Sequence, residues 1–191
     1  MKNKGKQPRS KQTIKTILNA AAQVLIDQGY GRATTNKIAE KSGYSVGTLY
    51  QYFDDKEDVY RELVADELAK IVAVVNQTVA RASLQETLTS MMSQMLEVLG
   101  NDPLLVQSLG QLTVGPFQDI RTSARARTVA GVVGLLEAHR DEIVIQDLHL
   151  AAETIVSATE GFAVNANTAS FPAIDLLEQG VRLQLAYLTM Q

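Results

Sequence analysis

The amino-acid sequence predicts an all-α protein of about nine helices. Three observations predict it. Apolar residues recur with helical spacing almost throughout, strand-type alternation is absent, and only four prolines interrupt 191 residues. No internal repeat is visible, and 46% hydrophobic residues suffice for a buried core.

The elements follow in order. Ile14, Ile17, Leu18, Ala21 and Leu25 make one apolar stripe, and Gly29 is placed to end that helix in the left-handed conformation. TTNKIAEKSG and SVGTLYQYF are two segments too short to stand as independent helices. A long helix is expected from Asp55, with cap-like Asp55 and Asp58. Its stripe of Leu63, Leu68, Ile71, Val72, Val75 and Val79 carries it to about Arg81. Ser83 to Glu86 (SLQE) reads as a capping box opening a helix to about Leu99, and Asp102-Pro103 reads as an N-cap followed by proline in the first turn. Gly115-Pro116 breaks the chain before a helix from about Phe117 to His139. Asp147 caps the next, which ends near Asn165, and SFPAIDLL opens the last, which continues almost to Gln191.

Charge is distributed unevenly. The chain carries −3 overall, yet residues 1–53 hold nine Lys and Arg against two acids, while residues 54–191 hold nine against nineteen. A basic N-terminal quarter on an acidic body points to a polyanion partner at one end. A merely solubilising basic tail accounts for Lys2 to Lys11 but not for Lys15, Arg32, Lys37 and Lys41, which lie in folded-looking sequence. No cysteine is present, which excludes a disulfide framework, a thiol nucleophile and a cysteine-based zinc site. No apolar run approaches the roughly 20 residues needed to cross a bilayer, and the basic N-terminus has no signal-type apolar stretch behind it. A cytoplasmic protein without membrane association is expected.

Aromatics are concentrated too. Of ten Phe and Tyr, four lie in SGYSVGTLYQYF, residues 42–53. Taken as one unit, Thr34 to Phe53 has the spacing of a helix-turn-helix. Thr35 can cap the first helix, small Ala39 lets the second cross closely, Gly43 permits the turn, Ser45 can cap the second helix, and Leu49 fills the angle. The second helix then presents Ser45, Val46, Gly47 and Thr48 at its N-terminus, the end that enters a major groove in this motif. Gly47 allows close backbone approach, Thr48 suits a phosphate, a base edge or a thymine methyl, and Gln51 can pair bidentately with adenine. Tyr50 and Tyr52 are rigid amphipathic arms for phosphate and sugar. A plain helical hairpin explains Leu49 and Phe53 but not Ser45, Thr48 and Gln51.

The stretch ATTNKIAEKSGYSVGTLYQYFDDKEDVYRELV closely resembles the N-terminal DNA-binding domain of the TetR family of transcriptional regulators, and with the preceding helix and GYGRATT the resemblance covers roughly residues 11–65. It implies a flexible basic arm over residues 1–10, a three-helix DNA-binding domain over 11–58 with the helix-turn-helix at about 34–53, and a helical ligand-binding and dimerisation domain over 59–191. It also implies phosphate contacts for Thr34 or Thr35, Lys37, Ser45, Tyr50, Tyr52 and Lys56, and base-facing positions at Val46, Gly47, Thr48 and Gln51. The family often carries Lys, Arg or Pro where this chain has Val46 and Gly47. Charged readout of guanine is therefore absent there, and modest base discrimination through methyl contacts and DNA shape is expected.

The resemblance further implies a homodimeric repressor, released from an inverted-repeat operator in double-stranded DNA by a small effector. An activator, a ligand-independent regulator and a helical protein-binding adaptor are the alternatives. Effector candidates are Met91, Met92, Met95, Leu109, Leu112, Phe117 and Phe162, a stripe equally suited to ordinary core, and their lack of charge leans toward an apolar ligand. Dimer candidates are Ala151, Ala158, Leu176, Leu183 and Tyr187, with Ile174, Leu177, Val181 and Leu188 turned to the core. No cofactor, metal or catalytic residue is expected. His149, Glu153 and Glu160 share a helix face, but HExxH, a nucleophile elbow, a phosphate loop and a dinucleotide fingerprint are all missing.

Overall fold

The computed structural model describes residues 8–110, 112, 115–166 and 173–190. Among them are nine α-helices: α1 (Pro8–Gln28), α2 (Thr35–Ser42), α3 (Val46–Tyr52), α4 (Lys56–Gln77), α5 (Leu84–Gly100), α6 (Pro103–Gly110), α7 (Gln118–Glu137), α8 (Leu148–Ala166) and α9 (Ala173–Thr189). Two 3₁₀ turns, Tyr30–Arg32 and Arg140–Glu142, complete the described elements, none of which is a strand. The expected all-α architecture is what the chain adopts.

Local chemistry explains most helix starts. Ser83 Oγ accepts from Glu86 N, Asp147 Oδ1 accepts from Leu150 N, and Asp55 Oδ1 accepts from Asp58 N, each satisfying an amide that the first turn leaves unpaired. Three expectations need correction. The cap of α2 is Thr34, not Thr35, because Thr34 holds the extended conformation and accepts from Lys37 N. Gly29 has positive φ, but its ψ of 162° takes it out of the left-handed helical region. Helix α4 stops at Gln77 rather than near Arg81, and Val79 is exposed. Thr78 N still donates to Val74 O at 3.0 Å, closing the last turn, and its hydroxyl shares that carbonyl at 2.8 Å.

The chain packs as two units. The first comprises Met1–Glu67 with Leu104–Arg121, and the second Leu68–Pro103 with Thr122–Gln191. In the first, α1 packs on α2 and α2 on α3, closing over Ile17, Ala21, Leu25, Ile38, Leu49 and Phe53, all buried. Apart from Ala21, each of these side chains contributes about 1.5–3 kcal/mol of transfer free energy. Buried Leu105, Leu109, Leu112 and Phe117 belong to the same unit.

In the second unit, α9 packs on α5 and α8 around a core that includes Met91, Met92, Leu136, Ala151, Ile155 and Leu188. Helices α4 and α7 cross closely there: a Cβ on Gly131 would lie 2.7 Å from Val75 Cγ1 and 2.8 Å from Asn76 Oδ1. Buried His139 braces the start of α5, with Nε2 2.8 Å from Thr87 Oγ1 and Nδ1 2.9 Å from Glu142 Oε1.

Candidate nucleic-acid interface

The helix-turn-helix is built from backbone geometry outward. Gly43 takes the left-handed conformation (φ 73°, ψ 10°), and the amides of Gly43 and Tyr44 return to Glu40 O and Ala39 O to end α2. Ser42 Oγ donates to Ala39 O, tightening the same turn. Ser45 then caps α3: its Oγ accepts from Thr48 N at 3.0 Å and lies 2.9 Å from Thr48 Oγ1. Ala39 and Leu49 are buried at the crossing, and Phe53 closes the end of α3.

The opposite face of α3 is available from outside. Ser45, Gly47, Tyr50 and Gln51 are exposed, and Val46, Thr48 and Tyr52 are half-buried. A Cβ on Gly47 would meet nothing nearer than Ser45 Oγ at 3.7 Å, so internal packing does not require glycine there. Tyr50 Oη lies 3.2 Å from Thr35 Oγ1, joining the first turn of α2 to α3 and bringing two candidate phosphate groups together. Thr34 is exposed beside them.

The two candidate lysines have internal partners. Lys37 Nζ donates to Gln28 Oε1 at 2.5 Å and to Arg32 O at 2.9 Å. Lys56 Nζ donates to Tyr30 O at 3.0 Å and Ala33 O at 3.2 Å, and sits 4.3 Å from the centre of the Tyr30 ring. Both ammonium groups brace the segment between α1 and α2. Lys41 forms an exposed ion pair with Asp27.

Behind this segment lies an aromatic cluster that sequence reasoning missed. The Tyr30 ring meets Tyr60 and Phe117 edge-on, with centroids 5.3 and 5.5 Å apart. Tyr60 donates its hydroxyl to Ala21 O, and burial, reinforced by neighbouring Tyr30, pushes its ionisation well above the ordinary phenol range. Arg61, one residue on, grips Asp119 through both guanidinium nitrogens and also donates to Pro116 O. Hydrogen bonding to Arg61 holds the Asp119 carboxyl below the usual range. Sequence signalled Tyr30 only through GYGRATT, and nothing local marks Arg61 and Asp119, which are 58 residues apart.

The effector candidates fall into both units. Met91, Met92, Met95 and Phe162 belong to the second, whereas Leu109, Leu112 and Phe117 belong to the first, where Phe117 packs on Tyr30. A shallow groove of about 500 Å³ lined by Arg81, Ser83, Gln85, Glu86, Thr89 and Ser90 includes none of them.

Of the dimer candidates, Ala151 is fully buried in the core of its own unit and Ala158 is half-buried. Leu183 is 52% exposed, and Tyr187 is half-buried with its hydroxyl on Thr154 Oγ1. The Leu176 and Ile174 side chains lie outside the described residues. Glu153 and Glu160 converge on Arg125, which also donates to Ser157. That clamp accounts for their spacing on α8. Among the described residues, no three His, Cys, Asp or Glu side chains gather as a metal site, and no helix is long and apolar enough to cross a membrane.

The model of the bacterial regulatory proteins of the tetR family matches residues 17–63, the span from mid-α1 through the helix-turn-helix into α4. By its N-terminal domain, the chain belongs to the tetR family. This tetR-family chain is 29% identical over 100 residues to the fatty acid metabolism regulator protein of Bacillus subtilis, covering 52% of this chain and 50% of that protein. The matched part thus spans half the length of that relative. Two solved structures share the fold. The fatty acid degradation regulator FadR of Bacillus halodurans superposes with a TM-score of 0.80 at 23% identity, covering 95% of this chain and 97% of its own. FadR of Bacillus subtilis, solved in complex with stearoyl-CoA, gives 0.75 at 19% identity over 91% and 98%.

Proposed function

We propose that the protein is a homodimeric, sequence-specific DNA-binding regulator, a repressor that leaves an inverted-repeat operator when a small effector with a long apolar part binds. One observation carries the reading. The apolar packing of the α2–α3 unit lies on its inner side, at Ala39, Leu49 and Phe53, which leaves Ser45, Gly47, Tyr50 and Gln51 exposed along one helix. Base contacts fall to Val46, Gly47, Thr48 and Gln51, and phosphate contacts to Thr34, Thr35, Ser45, Tyr50 and Tyr52. Lys37 and Lys56 act chiefly by holding the preceding segment in place, since each ammonium already donates two of its three protons within the protein.

The division of labour proposed is an arm over residues 1–10, DNA binding over 11–58, and effector binding with dimerisation over 59–191. Exposed Leu183 and half-buried Ala158 and Tyr187 suit a two-fold helical interface. A long-chain acyl thioester of coenzyme A is the effector class the relatives favour: one is a fatty acid metabolism regulator, and another was solved with stearoyl-CoA. The buried Met91, Met92 and Met95 supply an apolar, adaptable lining for such a chain.

Selection from random duplex DNA tests the first half of the reading, and release by stearoyl-CoA the second. An inverted repeat in the recovered fragments, bound less tightly once stearoyl-CoA is added, is the expected result. Failure to retain any duplex at low salt overturns the regulator reading. Binding unchanged by stearoyl-CoA overturns only the effector class.

A further inference from the structure

Gln184, on α9, is 2% exposed. Its Nε2 donates to Thr159 Oγ1 of α8 at 3.1 Å, and the Thr159 hydroxyl itself donates to Ile155 O at 2.8 Å. A hydroxyl has one proton, and here the backbone carbonyl takes it. With its proton on the Ile155 carbonyl, Thr159 accepts from Gln184, and the amide presents nitrogen to it. Turning the amide over would require the Thr159 proton to leave Ile155 O for Gln184 Oε1. In this arrangement Gln184 Oε1 is left fully buried with no hydrogen-bond partner.

A buried acceptor without a donor is destabilising, and it persists in folded proteins for a reason. The surroundings suggest one. Gly180 lies one turn before Gln184 on α9, and a Cβ there would sit 3.2 Å from Met92 Cε and 3.9 Å from the Phe162 ring. Helices α5, α8 and α9 therefore meet across a glycine and a methionine one turn from Gln184. The methionine has three rotatable bonds and yields space readily. The site combines one fixed acceptor with deformable apolar walls.

We infer that Gln184 is the polar anchor of a ligand site at the α5–α8–α9 junction, its carbonyl oxygen accepting one N–H or O–H from a ligand whose adjoining body is apolar and displaces Met92. The inference rests on the effector reading above and adds a residue and a constraint on ligand chemistry. A carboxylate or a thioester carbonyl brings no proton to Oε1. An amide N–H does, such as the one that follows the thioester sulfur in the arm of an acyl-coenzyme A.

Two probes with the same acyl chain test it by titration calorimetry: S-decanoyl-N-acetylcysteamine, which carries an amide N–H, and S-butyl decanethioate, which has no donor. The wild-type chain is expected to bind the amide probe about ten-fold more tightly, the discrimination expected of one buried hydrogen bond. Gln184→Met keeps the shape and removes the acceptor. It should equalise the two probes and raise the melting temperature of the ligand-free protein. Gln184→Leu, which also lacks an acceptor, should equalise the probes as well and serves if Gln184→Met does not fold. Equal binding of both probes by the wild type, as a buried water on Oε1 would produce, overturns the inference. So does a preference that survives the substitutions, a lower melting temperature in Gln184→Met, or no binding of either probe. Operator release by stearoyl-CoA in the same preparations then tells whether the effector reading stands without this site.

Discussion

Ser45 is asked to do two things, and substitutions can separate them. Its Oγ caps α3, a helix of only seven residues, and it is exposed at the end expected to face DNA. Ser45→Ala removes the bond to Thr48 N, which costs about 1 kcal/mol at a helix start. For a chain of this size the melting temperature should fall by roughly 2–4 °C. Asparagine and aspartate cap about as well as serine, so Ser45→Asn and Ser45→Asp should both recover the stability. They differ only in charge. A carboxylate about 4 Å from a phosphate is repelled by about 1 kcal/mol even at the dielectric of water, roughly five-fold per recognition helix and about thirty-fold over two. The assay pairs thermal melts with fluorescence-anisotropy titration of the selected operator. The expected pattern is Ala weaker in both readouts, Asn near wild type in both, and Asp stable but poor at binding. An Asp variant that binds DNA as well as Asn would refute the placement of Ser45 at the phosphate backbone. An Ala variant that melts at the wild-type temperature would refute the cap.

Three further outcomes are expected. Gly131→Ala gains about 1 kcal/mol of helix propensity but forces a methyl against stiff Val75 at a cost of about 1–3 kcal/mol, so a net loss of up to about 2 kcal/mol should appear in denaturant titration. Lys56→Met leaves Tyr30 O and Ala33 O without their ammonium donor and should cost about 1–3 kcal/mol, seen as a lower melting temperature before any DNA is added. Asp119→Asn should be less stable than the wild type at neutral pH. Because the folded-state pKa is depressed, that advantage of the wild type is complete above about 3.8 and is lost as pH falls from there through the folded value, so the two melting curves should converge in strong acid.

What was legible in the sequence is what short-range chemistry decides. Ser45, Ser83, Asp55 and Asp147 cap the helices assigned to them because a cap needs only an oxygen and an amide three residues on. Ala39, Leu49 and Phe53 are buried because the helix-turn-helix angle admits few side chains. The misplaced cap of α2 has an equally local cause, since two adjacent threonines compete for one cap. Illegible were the pairings across long separations. Lys56 reads as a surface cation until Tyr30 and Ala33, 26 and 23 residues away, are folded against it. Gln184 reads as one polar residue on an apolar helix, and only Thr159 and Ile155 reveal which of its atoms is left unpaired.

The placement of residues 104–121 with the first unit bears on how a ligand signal would reach the operator. Within that unit the contacts are continuous. Asp119 and Pro116 hold Arg61 of α4, Phe117 and Tyr60 hold the Tyr30 ring, and Lys56 holds the ring and the carbonyls leading into α2. Tyr30 is the common member, touched from α4 and from the start of α7. Two edge-on ring contacts and one cation over a ring amount to about 1.5–4 kcal/mol at a half-buried site. Coupling between an effector and a DNA site is commonly of that size, enough to change operator affinity five- to more than a hundred-fold. A ligand that shifts the first turn of α7 therefore need not unfold anything. It need only weaken the hold on Tyr30, and the segment that positions Thr34 and Thr35 loses its brace. Tyr30→Leu, which keeps bulk but removes the ring interactions, should accordingly lower operator affinity without ligand and shrink the further effect of adding it. If Tyr30→Leu binds the operator normally and is released normally, the signal travels by another route.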